Sequence, residues 1–242
     1  MRKIVLLDLD STLLQVDMDQ FLKHYLGRLQ AFAPPEWRAA LIPNLLASTQ
    51  LMIADDDATR LCADVFWDDF SQRMGEKREH LEPYFDRFYR EDYVALAELV
   101  QEKEATPRLL RWLGDNDYSI VIATNPLFPP LAIEHRLVWA GAAMSDYDYL
   151  RVTHYENSHA SKPHPAYYVE ILAQVGYQPS DAVMVGDDWG NDMLPAMSLG
   201  MATYWITSEG GNEVPDEEKR PDGQGSLAEF LALCQDGWLE RI

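Results

Sequence analysis

The sequence predicts an α/β fold: a doubly wound, Rossmann-like parallel sheet interrupted by an inserted α-helical cap domain. Three observations predict it. Short apolar runs rich in β-formers recur along the chain, and each ends in a polar loop. The later runs are separated by helical patterns, and strands alternating with helices imply a parallel sheet covered on both sides. Between the first run and the rest lies a long stretch with helical periodicity and almost no strand signal.

The first run is Ile4 to Leu7, which reads as a fully buried strand stopping at Asp8-Leu9-Asp10-Ser11-Thr12. From about Met18 to about Lys103 the pattern is helical. Leu61, Val65 and Phe66 share one face with Phe70 a turn further on, and Asp64 and Asp68 lie off it. Pro34-Pro35 and Asp55-Asp56-Asp57 punctuate this segment as expected helix starts. Its aromatics, among them Trp37, Phe66, Trp67, Phe70, Tyr84 and Phe88, are expected to be core rather than a substrate cage. The expected division is therefore a core of residues 1–17 and 104–242 with a cap of residues 18–103.

Ser119 to Ala123 is the second strand, running into Thr124-Asn125. A helix follows over Ala166 to Val175, with Tyr168, Ile171, Leu172 and Val175 on one face. Ala182 to Val185 is the third strand, before Gly186-Asp187-Asp188, and Ala202 to Ile206 is a weaker fourth. Ser208 to Gly225, with Gly210-Gly211, Pro215 and Pro221, reads as a surface loop.

Forty acidic residues against twenty basic ones give a formal charge of −20 over 242 residues. That field disfavours nucleic acid and anionic membrane surfaces as partners. Any anionic substrate must meet local positive charge supplied by the site. The run Ile4 to Leu7 is too short for a signal peptide, and no stretch approaches the length of a membrane span, so the expected location is cytoplasmic. Cys62 and Cys234 are in no metal-like spacing and are expected to be reduced and structural.

In a doubly wound sheet, ligands bind beyond the carboxyl ends of the strands. Asp8 and Asp10, two apart at a strand end, can start on the same face. Paired carboxylates with different roles suit a two-step hydrolysis: one attacks phosphorus, the other moves protons. Thr124, with neighbouring backbone N–H groups, could hold a phosphoryl oxygen, although a strand-end Thr or Asn commonly serves as a turn former. Lys162, in Ser161-Lys162-Pro163-His164-Pro165, sits where a helix dipole disfavours a cation unless a phosphate lies beside it. Asp187, Asp188 and Asp192 follow a buried strand. Capping explains one or two of these acids; three near Asp8 and Asp10 call for a cation, and hard oxygen donors indicate Mg²⁺ rather than zinc. His164 could face the site, whereas His154 and His159 are expected at the surface.

Asp8-Leu9-Asp10-Ser11-Thr12, Thr124, Lys162 and Gly186-Asp187-Asp188 through Asp192 together resemble the four ordered motifs of the haloacid dehalogenase-like hydrolase superfamily, over Ile4 to about Gly200. The resemblance implies Asp8 as nucleophile and Asp10 as general acid/base, its backbone carbonyl also meeting the metal. It implies Thr124, with Asn125 beside it, and Lys162 as the phosphate-binding groups. Asp187 resembles the metal ligand, and Asp188 and Asp192 direct or water-mediated supports for it. The implied enzyme is a Mg²⁺-dependent phosphatase that takes a small phosphorylated metabolite, phosphosugar or nucleotide alike, through an aspartyl-phosphate.

Alternatives on the same core are a phosphomutase and a non-catalytic binding module; the latter would be expected to lose Asp8, Asp10 or Lys162. The dehalogenases of the superfamily lack the second aspartate, so Asp10 argues for phosphoryl chemistry. Phosphonate hydrolysis would need a cap lysine in the site, and the sequence places none of Lys23, Lys77 or Lys103 there.

Overall fold

A computed structural model describes residues 3–55, 57–208, 212–215 and 219–242 of the chain. The chain opens with β1 (Ile4–Leu7) and β2 (Leu14–Val16). Four helices follow: α1 (Met18–Phe32), α2 (Arg38–Ala54), α3 (Cys62–Met74) and α4 (Arg78–Glu91). A 3₁₀ turn over Tyr93–Leu99 leads into β3 (Val100–Glu102), α5 (Ala105–Asp115), β4 (Ser119–Ile122), α6 (Pro130–Trp139) and β5 (Tyr149–Val152). Then come α7 (Pro165–Val175), β6 (Ala182–Gly186), a π-helical turn over Trp189–Met193, α8 (Leu194–Ser198), β7 (Ala202–Ile206), β8 (Gly223–Gly225), α9 (Leu227–Gln235) and α10 (Trp238–Arg241).

The main sheet has the order β5-β4-β1-β6-β7-β8, and every neighbouring pair is parallel. β1 is unbroken in hydrophobicity because both of its faces are covered. Ile4 and Leu6 pack with Tyr167, Tyr168, Ile171 and Met184 on one side. Val5 and Leu7 pack with Leu109, Leu113, Ile133 and Phe230 on the other. From β1 the chain continues to β4 on one side of it and later to β6 on the other. The carboxyl end of β1 is thus the switch point of the sheet, the place where doubly wound sheets bind their ligands.

Helices α1 to α4 gather around a separate aromatic cluster that includes Phe21, Phe66, Trp67, Phe85 and Phe88. Trp67 and Phe85 meet edge to face, with centroids 5.5 Å apart and planes at 88°. That geometry sets the positive edge of one ring on the negative face of the other. The two chain crossings into and out of this helical layer pair with each other: β2 runs antiparallel to β3, Leu14 opposite Glu102 and Val16 opposite Val100.

Four strands escape the sequence reading, β2, β3, β5 and β8. β2, β3 and β8 have three residues each and cannot show an alternating pattern. β5 and β8 are the sheet edges, where one-sided pairing relaxes the need for apolar side chains. β8 is Gly-Gln-Gly and falls inside the segment expected to be a loop, while β3 falls inside the one expected to be helical. Asp55 caps the C-terminal end of α2 instead of starting a helix, and α3 starts only at Cys62. Asp56 and the Gly210-Gly211 pair lie outside the described residues. Among the described residues, no helix is long and apolar enough to cross a membrane.

Candidate active site

Asp8 is the first residue beyond β1, and its backbone N–H still donates to Val185 O at 2.9 Å. Its carboxylate therefore leaves the sheet at the switch point, 8% exposed. Lys162 reaches it from the loop before α7: Nζ donates to Asp8 Oδ1 at 2.8 Å and to Asp192 Oδ1 at 2.6 Å. The ammonium is 2% exposed. Burial by itself would pull Lys162 down, but Asp192 and Asp8 outweigh it and hold the group charged, well above the ordinary lysine value.

Asp192 returns to the site because the π-helical turn winds the chain back under Gly186. Its Oδ2 accepts the Asp188 N–H at 3.1 Å. Gly186 permits this approach, since a β-carbon there would overlap the Asp192 carboxylate. Asp187 sits between these groups; its carbonyl accepts from Trp205 Nε1 at 2.8 Å and its Oδ1 from the fully buried Thr12 hydroxyl at 3.0 Å.

Oxygens of Asp8, Asp187 and Asp192 lie within 4.8 Å of one another. Burial and the neighbouring Asp8 charge push Asp187 up to about 7. Burial, with Asp8 and Asp187 adding to it against Lys162, pushes Asp192 up to about 7 as well. A set of crowded carboxylates with no sulfur or imidazole donor fits a hard divalent cation of the Mg²⁺ type.

Asp188, expected to support a metal, stands outside this group. Its exposed side chain caps the π-helical turn, accepting from Gly190 N and Asn191 N at 2.8 Å each and from Asn191 Nδ2 at 3.0 Å. The capping that explains an acid at a helix start thus accounts for Asp188, while Asp187 and Asp192 turn inward.

Asp10 points its carboxylate toward α6, where the buried guanidinium of Arg136 donates from Nη1 to Asp10 Oδ2. Burial raises the Asp10 carboxyl above its ordinary value against the pull of Arg136, and Asp8 adds to the rise. Phe128 lies against the other side of Arg136, its ring centre 4.5 Å from Cζ. Thr124 is buried just beyond β4, and its carbonyl is fixed by the Thr153 hydroxyl at 2.7 Å and the Tyr167 hydroxyl at 2.8 Å. Asn125 Oδ1 accepts the Lys162 N–H at 3.3 Å, which ties the β4 loop to the α7 loop.

Two cations lie near the acids: Arg136, which escapes the sequence reading, and Lys103, which the sequence does not place in the site. Arg136 lies in the last turn of α6, where a basic residue reads as a dipole partner. Lys103, beyond β3, donates from Nζ to Ser11 O. Burial lowers Lys103 against the opposing pull of Asp187 and Asp8, so the lysine lies close enough to feel both. No spacing signal announces either residue. His164 bonds away from the acids, its Nε2 meeting Ile53 O at 3.1 Å. His159 pairs with Glu170 at 2.9 Å and is half-buried, as is His154, rather than lying at the surface.

Residues 2–200 match the family model described as haloacid dehalogenase-like hydrolase. A stretch of 61 residues is 33% identical to the phospholysine phosphohistidine inorganic pyrophosphate phosphatase of Xenopus laevis; it covers 25% of this chain and 22% of that protein. Solved structures share the fold along nearly the whole length. A HAD phosphatase from Thermococcus onnurineus is 22% identical, with 96% of this chain and 97% of that one covered at a TM-score of 0.59. A 2-haloacid dehalogenase from Pseudomonas syringae is 20% identical, with 98% and 100% covered at 0.63.

Proposed function

The chain belongs to the haloacid dehalogenase-like hydrolases, and on that premise we propose that it is a Mg²⁺-dependent phosphatase, acting on a small phosphorylated metabolite through an aspartyl-phosphate on Asp8. The observation that carries this reading is the convergence of Asp8, Lys162, Asp187 and Asp192 at the switch point, with Asp10 beside them.

Asp8, Asp187 and the backbone carbonyl of Asp10 would hold the cation. Asp192 stands in support, because both of its oxygens already serve Lys162 and the Asp188 N–H. When bound, Mg²⁺ supplies charge neutralisation between two anions, carboxylate and phosphate, that would otherwise repel.

Lys162, held charged, takes a share of that neutralisation and keeps Asp8 Oδ1 oriented. Asp8 attacks phosphorus while the ester oxygen departs with a proton from Asp10, giving the acyl phosphate and the free alcohol. The raised Asp10 carboxyl suits it to carry that proton. Arg136 engages Asp10 Oδ2, leaving Oδ1 to exchange it. Asp10 then takes a proton from water, the oxygen attacks phosphorus, and inorganic phosphate leaves with Asp8 regenerated. Thr124 and the N–H groups after β4 are suited to donate to the equatorial oxygens, where the transition state carries its charge.

We read residues 18–103 as a cap that covers this crevice, hinged on the β2–β3 ribbon, with residues 1–17 and 104–242 as the core. The cytoplasm is the compartment we infer. Phosphate release from a panel of phosphorylated metabolites with Mg²⁺ tests the reading, with Asp8→Asn as control. Turnover in that variant within tenfold of the native rate rules out the covalent route, since a neutral amide cannot form the acyl phosphate.

A further inference from the structure

A cavity of about 230 Å³ lies where α1 to α4 face the loop after β4. We infer that it takes the organic group of the substrate and that this group is apolar: an aryl or short alkyl phosphate monoester, rather than a phosphosugar or a nucleotide. This rests on the phosphatase reading and narrows it.

Two chain segments join the cavity wall to the loops that carry the reacting groups. Leu127, Phe128 and Pro129 form part of its wall and directly follow Thr124-Asn125; Leu127 N–H donates to Asn125 O at 2.8 Å. Phe128 also lies against Arg136, the partner of Asp10. From the other side, His164, two residues past Lys162, is bonded to the carbonyl of Ile53, another wall residue.

No aspartate, glutamate, lysine, arginine or histidine lines the cavity among the described residues. A second phosphate or a sugar carboxylate would find no counter-charge. Apart from the exposed Gln50 amide, the polar side chains of the wall are paired: the Tyr25 and Tyr89 hydroxyls share a hydrogen bond of 2.9 Å. The Thr49 hydroxyl donates to Leu45 O at 2.9 Å, and Trp67 Nε1 donates to the Tyr155 hydroxyl at 3.3 Å. Sugar hydroxyls entering here would leave water without replacement partners, which costs free energy for each one. An apolar group gains instead, by an amount that scales with the area it removes from water.

Size agrees. A dry protein cavity of about 150 Å³ accommodates benzene, so about 230 Å³ has room for one ring and a few further carbons. Two of the lining residues, Leu22 and Leu46, are 38% and 47% exposed, so the cavity is open to entry on their side.

The test uses non-hydrolysable phosphonates, so that binding is read apart from turnover. With Mg²⁺ present, benzylphosphonate should bind at least tenfold more tightly than 2-hydroxyethylphosphonate by calorimetry. Thr49→Phe, which fills the cavity, should bring the two within about threefold of each other, and Leu46→Ser at the exposed mouth should narrow the gap in the same direction. Melting temperatures report whether each variant folds. Equal binding in the native protein, or a preference that survives in both folded variants, overturns the inference. Release of phosphate from benzyl phosphate and glycerol phosphate is measured in parallel. Absence of release from these two and from the whole metabolite panel rejects the phosphatase reading, while the phosphonate ratio still decides the cavity.

Discussion

The guanidinium of Arg136, in the last turn of α6, donates to the carboxylate of Asp10, a residue 126 positions earlier. Asp10 leaves the same strand end as Asp8, yet its partner is this arginine, whereas Asp8 is paired with Lys162. The two carboxylates of the first motif are thereby given different electrostatic surroundings. Their chemical roles can divide accordingly.

If Arg136 positions Asp10 as proton donor, its loss should depend on the leaving group. Arg136→Met is expected to slow hydrolysis of an alkyl phosphate by about 10²-fold or more, the usual share of general acid–base catalysis. Hydrolysis of para-nitrophenyl phosphate, whose phenolate needs no proton, should slow much less. Arg136→Lys should recover part of the difference. A uniform loss on both esters, unrecovered by lysine, assigns Arg136 to structure alone. Removing one side of a buried pair also costs about 3–5 kcal/mol, so the variant should melt lower.

Asp10→Asn separates the two chemical steps. With para-nitrophenyl phosphate and Mg²⁺ the variant should release nitrophenolate in a stoichiometric burst and then nearly stop, because water attacking the acyl phosphate lacks its base. Acid-quenched mass spectrometry should find the phosphate on Asp8. Absence of both burst and adduct, in a variant that still binds Mg²⁺, refutes the division of roles between Asp8 and Asp10.

Chelation with EDTA should abolish activity and Mg²⁺ should restore it. Asp187→Ala is expected to weaken Mg²⁺ binding far more than Asp188→Ala, whose main cost is the lost cap of about 1 kcal/mol. Metal affinity should also rise with pH. Asp187 and Asp192 are pushed from 3.8 up to about 7 in the metal-free fold. Between those values the folded chain holds protons that the unfolded chain has released, so metal-free stability falls as pH rises through that window. A cation held by Asp187 must displace the proton on that carboxyl, and its affinity should level off above about pH 7. Calorimetry at pH 5.5, 6.5 and 7.5 checks this; a flat affinity contradicts it.

Gly186→Ala should act on the site without touching substrate. The new β-carbon overlaps the Asp192 carboxylate, which must move and release Lys162 from one of its two partners. Expected is a fall in kcat of about tenfold or more, the pattern of a displaced catalytic group, together with a lower melting temperature, because a buried ion pair is disturbed. Native kcat would show that Asp192 tolerates the shift.

What the sequence determined by itself was where polar residues leave the strand ends. Asp8, Asp10, Thr124 and Asp187 are legible because each lies within a few residues of an apolar run whose two-sided burial forces a polar exit at the switch point. The three-residue strands carried too few side chains to declare a period. The tertiary structure alone decided which charges meet. Arg136 looks like an ordinary helix-terminal cation until the packing of α6 buries it against Asp10. Asp188 and Asp192, four apart and chemically identical, are told apart only by the π-helical turn, which spends one on its own cap and returns the other to Lys162. Lys103 reaches the Ser11 carbonyl, next to Asp10 in the chain, only because β3 pairs back onto β2. Local patterns report what a segment does with its own backbone and faces; ion pairs and cavities belong to residues that only the folded chain brings together.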